Sequence, residues 1–496
     1  MHPGNGRCIP MDQAAEIEVI RSTVSRFFIV YDVKVSSEAV TLCITPDQKT
    51  LENNFEQLRK ALNSSGYISI LDYSKGEYTI SIVRKPVHGK RRVWINILLL
   101  GATICTTIVA GAILWAAYNN SSDFFTSENM IWGTIFFALP LMTMLGVHEL
   151  SHYYVSKRNG VAASLPYFIP IPPLGYPPLG TFGAFISMHD PMPSRKALVE
   201  IGAAGPLAGL LVAIPVAIIG LTLNATGTPH PGLPPGGQLG VSVPFFYELM
   251  ALFIPQPPDV FMHPMAFAAW VGFFVTAINL LPAGQLDGGH IARGLLGKNA
   301  RYLSFATVVV LILLGMFFYL GWLIFAFLIV LLGLTHPAPL NDVTKLDSKR
   351  IVVGVVTFMV LVGSFVFVPL YQIPIENTFE IDVQGANETS VAGGSVALFA
   401  LVINNTGSVN ITIRMDVSNV PDGWNALLYE ANNSSSGGTD SLDLDVIYQG
   451  NATIIIEVRT GASSEPGRTV LLLETISKAE GVADITQNTQ FTINIV

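Results

Sequence analysis

Residues 131–156 read IWGTIFFALPLMTMLGVHELSHYYVS, and this stretch decides the fold class. It is long and apolar enough to cross a hydrocarbon core about 30 Å thick, which takes roughly 20 residues of α-helix. It also contains His148, Glu149 and His152. Ionisable side chains at bilayer depth are costly to bury and usually functional. The stretch therefore predicts a transmembrane helix that carries a chemical site.

The rest of the chain has the composition of a polytopic membrane protein. Half of its 496 residues are hydrophobic and only 12% are charged, against roughly a quarter in a soluble domain. This composition rules out a soluble globular enzyme as the default interpretation. The three cysteines are scattered, without the spacing of a disulfide framework or a thiolate metal site. We expect a multi-pass protein of a prokaryotic cell membrane, embedded in the lipid bilayer and without a nucleic-acid partner.

Five clusters of basic residues flank the apolar runs. They lie at 84–92, 157–158, 195–196, 298–301 and 345–350. The positive-inside rule places all five in the cytoplasm, which requires an even number of crossings between neighbouring clusters. We therefore predict about seven transmembrane helices, with the N-terminus in the cytoplasm and the C-terminus outside. Their predicted bounds are 94–118, 131–156, 197–223, 262–282, 303–318, 320–334 and 351–370.

Two further domains flank the predicted membrane domain at 94–370. Residues 1–93 contain two helical periods and four strand-like stretches, which predicts a small cytoplasmic α/β domain of order α-β-β-α-β-β. Residues 371–496 alternate apolar and polar side chains between Asn, Gly and Ser turns, which predicts an all-β sandwich outside the membrane. This tail has 15 acidic and four basic residues, a net charge of −11. Glycosylation sequons in the tail, and others at Asn119, Asn120 and Asn224 in predicted outside loops, agree with that side.

The polar cluster in the second predicted span has the spacing of a zinc site. His148 and His152 are four residues apart, about one helical turn, so both imidazoles project from one face and can share a cation. Glu149 lies beside the first histidine, where its carboxylate can take a proton from metal-bound water. The pattern His-Glu-x-x-His on a helix is typical of zinc metalloproteases, so Zn²⁺ is the predicted cofactor. The alternative is two core histidines bonded to neighbouring helices.

A third metal ligand must come from elsewhere, because a catalytic zinc site usually has three protein ligands and an open position. Residues 279–290 read NLLPAGQLDGGH, and the proline and glycines there interrupt a helix. Broken backbone at membrane depth is tolerated only where protein buries it or it lines a wet cavity. Asp287 is the predicted ligand, and His290 is its rival. Alternatively, the stretch is an ordinary helix end just outside the bilayer.

Together the two motifs resemble the site-2 protease family of intramembrane zinc metalloproteases. The second motif of that family, Asn-x-x-Pro-x-x-x-x-Asp-Gly, matches at Asn279, Pro282, Asp287 and Gly288. Gly205-Pro206 in the third predicted span also resembles a family feature. The resemblance covers roughly residues 131–300 and does not extend to the flanking domains.

The resemblance implies a role for each matching side chain. His148, His152 and Asp287 would bind zinc. Glu149 would act as the general base, and Asn279 would lie near the substrate or the developing oxyanion.

A segment between the second and third predicted spans has two interpretations. Residues 165–178 are rich in proline and cannot be helical, and residues 181–188 are β-prone. An edge strand there would pair with an unwound substrate and hold it extended. Alternatively, the segment is an apolar loop that anchors in lipid headgroups. The predicted substrate-binding residues are Thr181, Phe182, Gly183, Ala184, Phe185 and Ile186.

These observations favour a protease that cleaves a peptide bond within or beside another protein's transmembrane helix. Its partners would be membrane proteins with transmembrane helices, such as membrane-tethered regulators. By analogy with the two-step proteolysis of the family, the outside β domain would filter substrates by size or bind surface partners. Alternatively, that domain only attaches to cell-surface material.

Two other functional classes compete with the protease hypothesis. One is a non-catalytic metal-binding membrane scaffold or receptor whose β domain binds a ligand. The presence of Glu149 argues against it, because a structural metal site needs no general base. The other is a zinc transporter, which is disfavoured because the other predicted spans contain no further chain of His or Asp.

Overall fold

The computed structural model describes residues 14–86, 92–119, 121–174, 177–188, 190–226, 239–256, 262–431 and 438–496. These residues form two compact units. One unit holds the N-terminal region and the helical region up to Pro369. The other holds the tail from Leu370 together with a short strand at 239–241.

The N-terminal region has the predicted order of elements. They are α1 (Ala14–Ser25), β1 (Ile29–Val35), β2 (Val40–Thr45), α2 (Leu51–Ser64), β3 (Tyr67–Ser74) and β4 (Glu77–Arg84). The antiparallel sheet has the order β1-β2-β4-β3, so β1 and β3 are its edge strands. In α2, Leu51, Phe55 and Leu58 recur at helical spacing and are buried. Packing of this apolar face against the strands builds the core of the domain.

The region that follows is mainly helical. Its helices are α3 (Val93–Tyr118), α4 (Ser127–Gly133), α5 (Leu139–Arg158), α6 (Arg195–Thr226), α7 (Phe245–Ala251), α8 (Pro264–Asn279), α9 (Asp287–Leu296), α10 (Ala300–Phe317), α11 (Gly321–Leu332) and α12 (Ser348–Ser364). A π-helical turn at Thr134–Ala138 joins α4 to α5, and a 3₁₀ turn at Gly297–Asn299 joins α9 to α10. Between α5 and α6 lies a two-stranded hairpin of β5 (Tyr167–Pro170) and β6 (Thr181–Phe185).

Among the described residues, four helical stretches are long and apolar enough to cross a membrane. They are Val93–Tyr118, Ser127–Arg158, Arg195–Thr226 and Asp287–Phe317. Helices are present at all seven predicted positions, but whether seven of them cross the membrane stays a prediction. The prediction of 262–282 was too long, because α8 has 16 residues and ends at Asn279. The proline and glycine residues of the second motif follow this end.

The prediction for Asn224 was wrong. This residue lies in the last turn of α6 and not in a loop, and it is buried. Its amide group donates to the side chain of Gln256 at 2.9 Å, and its carbonyl oxygen accepts from the backbone N–H of His263 at 2.7 Å. Because the amide is occupied inside the protein, this sequon gives no support to the predicted topology.

We expect impermeant thiol labelling to detect the two sides of the predicted topology. In a chain whose native cysteines are replaced by serine, a cysteine at the exposed Asn451 should be labelled in intact cells. A cysteine at the exposed Lys345 should be labelled only after permeabilisation. Asn341 is unsuitable as a reporter because it is only 2% exposed. Labelling of position 345 but not of position 451 in intact cells would overturn the seven-span prediction.

The tail is built of β-strands, as predicted. Its strands, with the separate β7, are β7 (Leu239–Val241), β8 (Leu370–Gln372), β9 (Phe379–Gln384), β10 (Glu388–Val391), β11 (Val396–Asn405), β12 (Ile411–Ser418), β13 (Asn425–Glu430), β14 (Ser441–Val446), β15 (Asn451–Arg459), β16 (Gly467–Lys478) and β17 (Ile485–Ile495). One sheet has the order β10-β17-β16-β12-β14 and the other β13-β15-β11-β9. Alternate side chains of both sheets are buried in a shared core. Within it the rings of Phe399 and Phe491 lie 4.8 Å apart.

Candidate metal centre

Three side chains from two helices meet inside the helical region. On α5, the Nε2 atoms of His148 and His152 lie 3.1 Å apart. Asp287, the first residue of α9, places Oδ2 at 3.2 Å from the Nε2 atom of His148 and 3.1 Å from that of His152. Both histidines are only 5% exposed. The structure thus brings together the three predicted ligands, although 139 residues of sequence separate His148 from Asp287.

The donor set fits a zinc ion. Two imidazole nitrogens and one carboxylate oxygen are ligand types that zinc takes in catalytic sites, with bond lengths of about 2.0–2.2 Å. A tetrahedral ion with such bonds separates its ligand atoms by about 3.3–3.5 Å. The three observed separations of 3.1–3.2 Å are close to this value. The pocket therefore has the size and chemistry for one small divalent cation.

A backbone carbonyl orients His152. The Nδ1 atom of this ring lies 2.7 Å from the carbonyl oxygen of Ile201 on α6. Since a carbonyl oxygen only accepts, Nδ1 carries the proton and Nε2 keeps its lone pair for a metal. This contact selects the tautomer that a ligand needs.

Helix α6 approaches the two histidines closely at Gly205. A Cβ atom at this position would lie 2.1 Å from Nε2 of His152 and 2.7 Å from Cδ2 of His148. Both distances are shorter than non-bonded atoms allow, so only glycine fits here. The sequence marks Gly205 only through its resemblance to a family feature, because nothing in the local spacing shows which side chains it faces.

The second motif folds back on itself to deliver Asp287. The chain leaves the helical conformation after Asn279, and α9 begins at Asp287. A Cβ atom on Gly288 would lie 2.0 Å from the carbonyl oxygen of Leu280, and one on Gly289 would lie 2.4 Å from that of Gly284. The two glycines therefore allow the loop to pack directly on the first turn of α9.

The remaining candidate residues have distinct positions. Oε1 of Glu149 lies 4.0 Å from Nε2 of His148, beside the three ligand atoms. Nδ2 of Asn279 lies 3.5 Å from the same Nε2 atom. His290 is directed elsewhere, because its Nδ1 lies 3.0 Å from the carbonyl oxygen of Leu286. Within the described part of the chain, the group able to hold a metal consists of His148, His152 and Asp287.

The predicted substrate segment forms a hairpin against α3. Tyr167 pairs with Phe185 and Phe168 with Ala184 in the β5–β6 ladder. Thr106 on α3 donates its hydroxyl to the carbonyl oxygen of Gly180 at 2.6 Å, which holds the start of β6 on the helix. Within the described chain, β6 pairs with β5 alone, so its other edge has no strand beside it.

The end of β6 lies next to the metal centre. The strand ends at Phe185, so Ile186, which was predicted as part of it, lies just beyond. The backbone N–H of Ile186 is directed at the Glu149 carboxylate. Phe182 is 75% and Phe185 51% exposed. Whether these residues bind substrate stays a prediction.

The fold and the site define a class: membrane proteins with a candidate metal centre of two buried histidines and one half-buried carboxylate, and a further carboxylate beside it. Residues 136–324 match the profile of peptidase family M50. This match confirms the family resemblance that the two motifs predict for this segment.

Curated relatives share this segment. The protein named "Probable zinc metalloprotease EGY2, chloroplastic" from Arabidopsis thaliana is 31% identical over 236 residues, 44% of this chain and 39% of that protein. "Probable zinc metalloprotease EGY1, chloroplastic" from the same plant is 32% identical over 245 residues, 45% of this chain and 42% of that protein. The EGY2 protein of Oryza sativa subsp. indica is 26% identical over 273 residues, 52% and 46% of the two chains. This chain therefore spans less than half the length of each.

The comparisons bear on two further predictions. A zinc cofactor is confirmed to the extent that the ligand set fits zinc and the relatives are named zinc metalloproteases. The apolar helices agree with a membrane protein. The relatives are named chloroplastic proteins, so they give no support to the predicted prokaryotic cell membrane.

Proposed function

We propose that this protein is a zinc metalloprotease that hydrolyses peptide bonds within or next to the transmembrane segments of membrane-anchored proteins. One observation carries the proposal: His148, His152 and Asp287 meet with Glu149 beside them, on two helical stretches that are each long and apolar enough to span a membrane. The family match and the names of the relatives support the metalloprotease part. The intramembrane site of cleavage rests on the position of the centre.

The depth of the centre favours cleavage inside the bilayer. His152 lies six residues before Arg158, where α5 ends. At 1.5 Å per residue this is about 9 Å below the helix end. The basic residues Lys157 and Arg158 mark this end as the cytoplasmic one by the positive-inside rule. We therefore place the scissile bond in the cytoplasmic half of the membrane.

The residues around the centre have complementary roles in hydrolysis. Zinc held by His148, His152 and Asp287 would supply a Lewis acid that makes water a stronger acid and so a better nucleophile after proton loss. Glu149 takes the proton from the attacking water and delivers it to the leaving amine. Asn279 donates from Nδ2 to the substrate carbonyl oxygen as negative charge develops there. The low exposure of Glu149, 5%, limits the access of bulk water to this proton transfer.

The free edge of β6 is proposed to bind the substrate in an extended conformation. A transmembrane helix cannot be cleaved while its carbonyl groups accept bonds within the helix, so its chain must first be extended. Pairing with β6 would replace those bonds by a ladder. The strand leads directly to Ile186 and Glu149, so a paired chain would continue to the catalytic base. This arrangement favours the edge-strand interpretation over a lipid anchor.

Proline in this segment should strongly reduce cleavage without removing zinc. Proline at Phe185 or Ile186 deletes a backbone N–H donor and leaves the ligands untouched. At Ile186 the deleted N–H is also the one directed at the Glu149 carboxylate, so Phe185→Pro is the more specific test of strand pairing. Phe185→Leu is the matched control, because it keeps an apolar side chain and the N–H group. Peptide hydrolysis and zinc content are measured on each purified variant. Full activity of both folded, metallated proline variants would leave the segment as a lipid anchor.

Crosslinking tests the same strand directly. In a Glu149→Gln background, a cysteine at Ala184 or Ile186 should form a disulfide with a cysteine near the cleavage site of a substrate. A cysteine at the exposed Glu128, in the first turn of α4, serves as the control position. Equal crosslinking at all three positions would contradict a specific pairing.

A comparison of membrane proteomes tests the proposed function. Cells that express wild type or Glu149→Gln are scored for membrane proteins that accumulate uncut in the variant. Glu128→Gln is the matched control, since it makes the same substitution at an exposed carboxylate far along the helical stretch. Accumulation in Glu149→Gln cells alone supports the protease. Identical proteomes, with metal bound in both proteins, would favour a non-catalytic scaffold or receptor.

A further inference from the structure

Residues 340–342, here called the bridge segment, connect the N-terminal domain to the helical region. The backbone N–H of Leu71 on the edge strand β3 donates to the carbonyl oxygen of Leu340 at 2.8 Å. On its other side, the N–H of Leu340 donates to the carbonyl oxygen of Met192 at 2.8 Å. The N–H of Asn341 donates to the carbonyl oxygen of Pro193 at 3.1 Å. The bridge segment thus bonds both to the N-terminal sheet and to the chain just before α6.

The core of the N-terminal domain includes a side chain from outside that domain. Leu340 is 6% exposed and packs in the same cluster as residues of β2, α2 and β4. Two ion pairs reinforce the contact: Lys196 lies 2.7 Å from Glu52, and Lys85 lies 2.8 Å from Asp190. Because Leu340 fills part of the core, the folded domain holds the bridge segment in one position.

The last residue of the bridge segment forms an ion pair with α9, the helix that carries the metal ligand Asp287. Asp342 accepts two hydrogen bonds from Arg293 on α9, at 3.0 and 2.7 Å. The side chains of Arg293 and Asp342 are 6% and 16% exposed. Such bidentate pairs impose a defined geometry on both partners. A second contact holds the end of α9: Arg195 of α6 donates to the carbonyl oxygens of Gly294 and Leu295, at 2.9 and 2.8 Å.

We propose that Arg293 is a positioning residue for the metal ligand Asp287. The N-terminal domain holds the bridge segment in place through Leu340, and Asp342 of that segment holds Arg293. Asp287 and Arg293 lie on the same ten-residue helix, six positions apart. A shift or rotation of this helix moves Oδ2 of Asp287 relative to the two imidazoles. Metal and catalytic sites need their groups within about 0.5 Å of the productive position. The inference rests on the metal centre of the proposed function, and it does not require that the protein cleave peptides.

Zinc affinity of the full-length chain in detergent tests the proposal. It is measured by competition with a chromogenic chelator, together with the thermal unfolding midpoint. Asp342→Asn and Leu340→Ala should each weaken zinc binding by about 10-fold, the lower end of the effect of outer-shell partners. Arg293→Lys keeps the charge but loses the planar fork, and it should cause a smaller loss in a protein that folds.

Asp347→Asn is the matched control. Asp347 lies on the same connection, but its ion pair with Arg350 at 2.7 Å and its cap both belong to α12, whereas the ion pair of Asp342 is with α9. This variant should lower the unfolding midpoint and keep wild-type zinc affinity within about twofold. Wild-type zinc affinity in Asp342→Asn and Leu340→Ala, at a lowered midpoint, would show a purely structural role and overturn the proposal.

A double-mutant cycle tests whether Leu340 and Asp342 affect zinc affinity through the same chain of contacts. If the N-terminal domain acts through Asp342, the combined Leu340→Ala and Asp342→Asn variant should lose less affinity than the product of the two single losses. Losses that multiply would contradict this coupling. Absence of zinc binding in the wild type would overturn the metal centre and with it the proposed function. Zinc binding and cleavage in the wild type, with unchanged affinity in all variants, would overturn only the present inference.

Discussion

A Glu149→Gln variant is expected to lose peptide hydrolysis by roughly 10²- to 10⁴-fold, the usual contribution of a general base, while it retains zinc. The reason is that the three ligand atoms belong to His148, His152 and Asp287, and the Glu149 carboxylate lies beside them. Glutamine has nearly the same shape but takes up no proton at neutral pH. The measurements are the rate of cleavage of a transmembrane substrate and the zinc content of the purified variant.

Asp287→Asn is the informative comparison for this prediction. It removes the charge of an oxygen that lies 3.1–3.2 Å from both imidazoles, so zinc retention and activity should fall together. The two variants therefore separate a base from a ligand. Loss of zinc from Glu149→Gln with retention in Asp287→Asn would contradict both assignments.

Gly205→Ala should weaken zinc binding by more than the roughly 10- to 100-fold loss that removal of an outer-shell partner causes. The added Cβ atom would lie 2.1 Å from Nε2 of His152, the atom that faces the other two ligand atoms. Either the imidazole or helix α6 must move, and both movements break the ligand arrangement. Zinc content and a competition titration on the purified protein measure the effect.

Two other glycines provide graded controls for this substitution. A Cβ atom on Gly209 would lie 3.3 Å from Nδ1 of His148, a tight contact that a small adjustment relieves, so Gly209→Ala should have a mild effect. A Cβ atom on Gly146 would meet nothing within 4 Å, so Gly146→Ala on α5 should bind zinc normally. Wild-type affinity in all three alanine variants would show that α6 does not approach the site as described.

The sequence by itself predicts features that depend only on residues close together in the sequence. The four-residue spacing of His148 and His152 places both rings on one helix face wherever that helix lies. Alternation in the tail and apolar runs in the middle likewise predict strands and helices, since side-chain periodicity follows from local geometry. The proline and glycines after Asn279 predict a broken helix, and α8 does end at that residue. The family resemblance adds roles to these positions without showing how they meet.

Only the tertiary structure decides which distant residues meet. From spacing alone, Asp287 and His290 were both candidates for the third ligand, and the packing of α9 directs Asp287 to the centre while His290 bonds to Leu286. No local sequence pattern predicts the close approach of Gly205 to the two histidines or the ion pair of Asp342 with Arg293 either. Such contacts join segments that are 49 or more residues apart. They depend on how whole helices pack, which no short stretch of the chain encodes.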